Sequence, residues 1–487
     1  MTDAPIEAAV PEPRRLSLFE AIVPVAGLIG LVALSYFLFG DAGAKGPNQV
    51  ALIAATMIAV AIGRRRGISF DDLSAAAIAS VSSGMGAIFI LLAVGALVGA
   101  WAMSGTLIAM VYYGLQILDP ALFYVSAAAI AAIVSFGIGS SWTLVGTVGI
   151  GLMGVAAAME LSLAITAGAV ISGAYFGDTV SPLSDSANLA AGVADVNLYD
   201  HLKQTAPVSA AALAIALVVF WFLGGGEGGF DASEKMATLN ADFDISLVLF
   251  LPLVVVVTLA VMRLPPFTTI FIGALVGGVL AGILAPDRVV RFADPAGELP
   301  RALAIVKGVW LAIADGYVST TGHPVVDTLA TRGGMSSMLN TVWLIITAFA
   351  FGGVIERIGA LTRLMAPVAA AFRSASALVT VLVASVFATN VATADQYLSI
   401  VVPGRMFKAT FADKGLPPLL LSRTVGLSAT PTSALVPWNS CGAYMAATLG
   451  VATASYAPFA IFNLANPLLA ILVTMAFAAA RERRPAR

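Results

Sequence analysis

Residues 172–202 place Asp178, Ser181, Ser184, Asp185, Ser186 and Asn188 close together, with Pro182 in their midst, between two long apolar runs. Carboxylates at bilayer depth are costly and normally line a cavity or an ion path. Gly177 and Pro182 point to a helix interrupted here, whose freed carbonyls and helix ends can hold a cation. Asp178 and Asp185 are seven residues apart. One face of a continuous helix would present both, although Pro182 works against that geometry. A carboxylate withdrawn from water holds Na⁺ when ionised and H⁺ when neutral, and competition between the two is the simplest chemistry of exchange. Ser184 and Asn188 add neutral oxygens, so Asp185, Ser184 and Asp178 are the expected Na⁺ ligands. The blander reading makes Asp178 a helix cap and Asp185 part of a wet loop.

Three further clusters carry the same kind of chemistry. Gly139, Ser140, Ser141, Trp142 and Thr143, with Thr147 one turn on, offer hydroxyls and exposed carbonyls to a hard, weakly held cation. The alternative is a small-residue helix contact. Thr389, Asn390, Thr393, Asp395 and Gln396 form a second such break, now with a carboxylate, and Arg405 and Lys408 are near enough in sequence to neutralise it. Pro437, Trp438, Asn439, Ser440 and Gly442 read as another broken helix; Trp438 could equally anchor at the interface, and Cys441 reads as a packing residue. The adjacent Glu356 and Arg357, near a span end, read as structural ion pairing or snorkelling rather than transport. One cysteine and two histidines exclude disulfides and argue against a Cys- or His-based metal site. There is no GxxxxGK[ST] loop for ATP, and neither HExxH nor a Ser–His constellation suggests an enzyme. No cofactor is expected.

The elements that must position these groups are membrane helices. The chain of 487 residues is 59% hydrophobic and 11% charged, against about 25% charged in soluble domains. Arginines cluster only at span ends, so nucleic acid is not an expected partner. Spans are expected at about 18–39, 48–63, 84–104, 105–119, across 121–159 with a break at 135–142, at 161–176 and at 206–223. In the second half they fall at about 245–262, 266–285, 337–356 and 361–384, then a broken region at 385–404, then 416–436 and 457–479, with an irregular amphipathic segment at 287–335. The fold class is therefore all-α and polytopic, with roughly 10–14 membrane segments. Residues 1–17 read as a cytoplasmic tail, 18–223 as a first repeat, 224–243 as an acidic external linker, 244–480 as a second repeat and 481–487 as a cytoplasmic tail. Gly95 with Gly352, Phe136 with Phe387, and Pro182 with Pro437 recur at offsets of 257, 251 and 255. With both Arg-flanked termini inside and the linker outside, each half crosses an odd number of times, so the repeats are inverted. Inverted repeats with paired broken helices are the pattern of a secondary transporter.

GSSWTLVGTVGIGLMG (139–154), AGAVISGAYFGDTVSPLSDSANLA (167–190), ATADQYLSIVVPGRMF (392–407) and LVPWNSCGAYMAATLGV (435–451) together resemble the NhaC family of Na⁺/H⁺ antiporters, within the wider ion-transporter superfamily. The resemblance runs over about 85–480. It implies a Na⁺-coupled secondary transporter with re-entrant hairpins and elevator-like movement. It also implies that Asp178, Ser181, Ser184, Asp185 and Asn188 belong to a polar core with Asn439 and Ser440. Two positions depart from the family's pattern: Val425, Gly426 and Leu427 follow Leu421–Thr424 where acidic residues are expected, and Thr179 follows Asp178 where a basic one is. Ser140, Ser141, Thr143, Asn390 and Asp395 complete the expected ion- or substrate-binding set. The expected function is Na⁺/H⁺ exchange across the inner membrane. The alternative is Na⁺- or H⁺-coupled movement of a small organic anion of the malate or lactate kind, held by helix N-termini near Ser140 and Asn439. Expected partners are Na⁺, H⁺ and the lipid bilayer, with a homodimer left open.

Overall fold

In lipid a chain has no water to satisfy its backbone, so a charge-free apolar run of 18 or more residues must bond to its own carbonyls and coil. The protein, seen here as a computed structural model describing residues 16–224, 232–371 and 374–482, follows that rule. Among the described residues ten helices are long and apolar enough to cross a membrane, and an eleventh span arises if the bent pair Thr453–Phe459 and Ile461–Ala476 counts as one. Phe37, Ile133, Phe222 and Trp310 are exposed on the outside of these helices, as a lipid-facing surface requires. Parts of the tails expected at 1–17 and 481–487, and of the linker at 224–243, lie outside the described residues; the described end of the linker is a helix, Ala232–Asp242.

Ten helices carry the polar clusters, and they are numbered here in chain order. The first five are α1 (Phe123–Ile138), α2 (Ser141–Ala158), α3 (Leu163–Val180), α4 (Asp185–Val193) and α5 (Leu198–Phe222). The second five are α6 (Ala375–Thr393), α7 (Gln396–Asp413), α8 (Pro418–Ser433), α9 (Ser440–Leu449) and α10 (Ile461–Glu482). The helix starts at Ser141 and Gln396, Leu163 and Pro418, and Asp185 and Ser440 are each separated by one interval, 396 − 141 = 418 − 163 = 440 − 185 = 255. The internal duplication is thus a repeat of helix boundaries, tighter than the sequence pairing suggests. Phe136 corresponds to Val391 rather than to Phe387, at the same interval.

The boundaries differ from expectation where composition misleads. The apolar run expected at 361–384 is two helices, Ala360–Ala371 and α6, because the span continues through the polar Thr389, Asn390 and Thr393. The expected broken region 385–404 narrows to Ala394 and Asp395. Likewise α3 runs on to Val180, so Asp178 lies in a helix and only 181–184 form the break. Asp178 and Asp185 therefore sit on two different helices. Gly177 does not interrupt α3; it allows close approach, since a Cβ there would meet the backbone of Ser135 and Phe136 on α1. The segment 287–335 is not irregular throughout, containing helices Pro286–Ala293, Arg301–Ala314 and Pro324–Ala330.

Candidate functional site

Each copy breaks its first long helix in the same way. Gly139 and Ala394 take left-handed backbone angles, φ 77° and 59°. The next residue is extended and caps the following helix with its side chain: Ser140 Oγ accepts from the Thr143 N–H at 3.3 Å, and Asp395 Oδ1 from the Leu398 N–H at 2.7 Å. Glycine is needed at 139, where a Cβ would lie 2.5 Å from that of Leu183. The second break of each copy ends at a capping residue too. Ser184 accepts from the Ala187 N–H, and Asn439 from the Cys441 N–H at 3.0 Å.

Bonds to corresponding carbonyls fasten the two breaks of each copy together. Ser135 Oγ donates to the Ala174 carbonyl at 2.6 Å, and Asn390 Nδ2 to the Ala429 carbonyl at 2.9 Å. The carbonyl of Phe136 accepts from Ser181 Oγ at 2.8 Å, and that of Val391 from Trp438 Nε1 at 2.7 Å. Trp438 is thus a buried staple, not an interfacial anchor. Asn390 also donates to Thr432 Oγ1, and its Oδ1 accepts from Asn439 Nδ2 at 3.1 Å. Replacing Asn390 with Ala strands these partners in a dry interior. A loss of about 2–3 kcal/mol is expected, read as a lower thermal midpoint of the purified protein in detergent.

The copies differ in where the acceptor sits and in its charge. In the first, Asp178 Oδ1 accepts from Ser184 Oγ (2.7 Å) and Ser186 Oγ (3.2 Å), and Oδ2 from Ser141 Oγ (2.6 Å) and the Ser141 N–H (3.3 Å). That fills the roughly four lone-pair positions of a carboxylate. In the second, the acceptor is an amide oxygen, Gln396 Oε1, which receives Ser433 Oγ and Cys441 Sγ, each at 3.1 Å. Ser141 and Gln396, Asp178 and Ser433, and Ser186 and Cys441 are equivalent positions 255 apart. One knot is therefore built on a carboxylate and the other on an amide. The copies are joined where Tyr444 of α9 stacks on Trp142 of α2, ring centroids 4.2 Å apart, and donates its hydroxyl to the Trp142 carbonyl.

A cavity of about 590 Å³ opens beside the breaks. Asp178, Asp185, Asn188, Ser140, Thr143, Asp395 and Ser440 line it. Asp185 is the first residue of α4, exposed to that space, and makes no hydrogen bond or ion pair among the described residues. Asn188 lies one turn on and donates Nδ2 to the Ser184 carbonyl at 2.8 Å. Ser141, Ser181, Ser184, Asn390 and Asn439 are buried behind the lining and hold it in shape. Among the described residues no group of three His, Cys, Asp or Glu side chains could hold a metal ion. A cation beside Asp185 would lean on hydroxyl, amide and backbone oxygens, as suits a hard, monovalent ion.

Several polar neighbours have partners that their spacing in the chain does not reveal. Lys408 pairs with Asp195, not with Asp395. Arg357 makes an ion pair with Asp72 at 3.4 Å, in keeping with a structural rather than a transport role at that span end. His201 is buried, its Nδ1 2.5 Å from Ser422 Oγ, and takes no part in the cavity. Lining residues outside the expected binding set include Ser186, Gln396, Tyr397 and Arg263. Arg263 gave no signal in the sequence beyond that of a basic residue at a span end.

The profile of the Na⁺/H⁺ antiporter family matches residues 173–477. Among similar proteins, the Na(+)/H(+) antiporter NhaC of Alkalihalophilus pseudofirmus is 35% identical over 431 residues, covering 88% of this chain and 90% of that one. The malate-2H(+)/Na(+)-lactate antiporter of Bacillus subtilis is 33% identical, covering 92% of each chain. The arginine/ornithine antiporter ArcD of Halobacterium salinarum is 32% identical, covering 94% of this chain and 92% of that one.

Proposed function

Because this chain belongs to the Na⁺/H⁺ antiporter family, we propose that it is a secondary transporter exchanging Na⁺ for H⁺ across the cytoplasmic membrane, through the cavity beside Asp185. The observation that carries this reading is the unpartnered Asp185 carboxylate, facing a cavity at the mouth of two paired helix breaks. Na⁺ binds the ionised carboxylate with neutral oxygens around it, and a proton takes its place when Na⁺ leaves. One group that holds either ion but not both couples the two fluxes without further machinery. Asp178 organises the site: its knot ties α2, α3 and α4 together and fixes where Asp185 points. Asp395, at the position equivalent to Ser140, adds a second carboxylate on the opposite copy.

The basic clusters at Arg64–Arg66 and at the C-terminal end support cytoplasmic termini in an inner membrane. An odd number of crossings per half then makes the two five-helix copies antiparallel. The cavity is walled on one side by the copies and on the other by the helix junctions at 83–90 and 260–269. That division suits an elevator in which the copies move as a body against the junctions.

The test is purified protein in liposomes with a trapped pH dye. Na⁺ added to one face is expected to move protons out of the lumen with no organic solute present. A dye response that appears only when an organic solute is supplied overturns the reading. With a single competing proton, the Na⁺ concentration for half-maximal response rises about tenfold per pH unit on the acid side.

A further inference from the structure

A second cavity, of about 610 Å³, shares no lining residue with the first. It is a groove on the helix Arg301–Ala314, lined by Leu303, Val306, Lys307, Trp310 and Ala314 of that helix and by Met335. The other face of the helix is packed. Cβ atoms added at Gly282 and Gly278 would meet Ile305 at 2.9 Å and Val309 at 2.6 Å, so the helix lies antiparallel against the C-terminal end of Pro266–Leu284. Leu303, Val306 and Trp310 are exposed, Trp310 to 73%, and no described element covers them. The approach to the helix marks the water boundary: residues 295–301 are all exposed, Glu298 among them, and Arg301 pairs with Asp287 at 2.8 Å. Lys307 follows 307 − 301 = 6 residues later, about 9 Å along the helix. It is exposed and makes no hydrogen bond or ion pair among the described residues. A lysine at that depth lays its stem on apolar surface and carries its ammonium back to headgroup level. The Trp310 indole, one turn on along the same face, suits the same zone.

We propose that this groove binds one anionic phospholipid, its headgroup phosphate on the Lys307 ammonium and an acyl chain running past Trp310 toward Ala314 and Met335. The lining is apolar apart from Lys307, its only ionisable group. An apolar groove holds a chain, and a single cation at its upper end selects the head. A zwitterionic headgroup brings its own ammonium toward the lysine, whereas an anionic one brings only the attraction. One lysine near a membrane surface favours an anionic lipid about fivefold. A second copy of this chain fits the groove less well, because docking about a two-fold axis brings like charges together at Lys307. The site lies apart from the exchange cavity and does not depend on which ions the protein moves.

The experiment titrates the purified full-length protein, in a neutral detergent, with dioctanoyl phosphatidylglycerol or with the phosphatidylcholine of the same chains. Bound lipid is counted by native mass spectrometry, and the thermal midpoint is read in parallel. Phosphatidylglycerol is expected to be retained at one molecule per chain and to raise the midpoint by a few degrees. Phosphatidylcholine should bind about fivefold more weakly. Lys307→Gln should bind the two lipids alike, and Lys307→Arg should keep the preference. Because Lys307 is exposed and has no partner among the described residues, the Gln variant without lipid should melt with the wild type. Trp310→Ala should weaken both lipids together. The proposal fails if the wild type binds the two lipids equally, or if Lys307→Gln keeps the preference. It also fails if Val306→Cys, oxidised in phosphatidylglycerol vesicles, cross-links two chains in high yield, which would give the groove to a second copy. The native Cys441 is buried and does not compete in that reaction.

Discussion

Asp185→Asn is expected to abolish Na⁺-driven proton movement in liposomes, by about 100-fold or more, while the protein remains folded. The scale follows from removing one charge of a partly desolvated ion pair, which costs on the order of 2–5 kcal/mol. The amide is nearly the same size and still offers an oxygen, but it neither carries the charge that holds Na⁺ nor takes up a proton at working pH. Asp185 has no hydrogen bond or ion pair among the described residues, so its replacement breaks nothing that holds the fold. Its thermal midpoint should therefore stay within a few degrees of wild type, and Asp185→Glu should recover part of the exchange. Near-normal exchange by the Asn variant would remove Asp185 from the mechanism.

Asp178→Asn is expected to behave in the opposite way, losing the fold as well as the exchange. Each Asp178 oxygen accepts two bonds, from the hydroxyls of Ser141, Ser184 and Ser186 and from the Ser141 N–H. An amide turns one of those acceptors into a donor, which either meets the Ser141 N–H or makes the Ser184 and Ser186 hydroxyls turn round to accept and give up the acceptor they had. In a buried knot that leaves at least one hydroxyl or N–H proton without its acceptor, about 1–3 kcal/mol. The thermal midpoint should fall well below that of Asp185→Asn measured side by side. Asp178→Ala should fall as far, since three hydroxyls then point into a void. If Asp178→Asn melts with the wild type and still exchanges, then Asp178 does not organise the site and the division of labour between the two carboxylates is wrong.

The contrast between these two residues shows how far the sequence could be read. Both are aspartates in one polar stretch, seven residues apart, and composition ranks them almost alike. Helix propensity did not reveal that α3 would continue through Asp178, because its last turn is held by bonds to α1 and α2, about forty residues earlier. The same blindness placed the second copy's break too broadly, since Asn390 and Thr393 look like breakers but stay helical, Asn390 donating to the Ala429 carbonyl of α8 and Thr393 to the Thr389 carbonyl within α6. That breaks fall near 139, 182 and 437 was legible, though not their bounds, because Gly139, Pro182 and Pro437 limit the backbone locally, whatever packs around them.

Local chemistry controls the features that could be read residue by residue: membrane helices from charge-free runs, their interruption at glycine, proline and polar residues, and a duplication at an interval near 255. It also determined that the first hairpin is the charged one, because Asp185 corresponds to Ser440. The tertiary structure alone decided which carboxylate is spent on the fold and which is left facing the cavity. Hydrogen-bond saturation depends on donors brought from distant helices, and no spacing records it. The same holds for Arg263, which lines the cavity from a turn outside both copies, so that only packing reveals its place there.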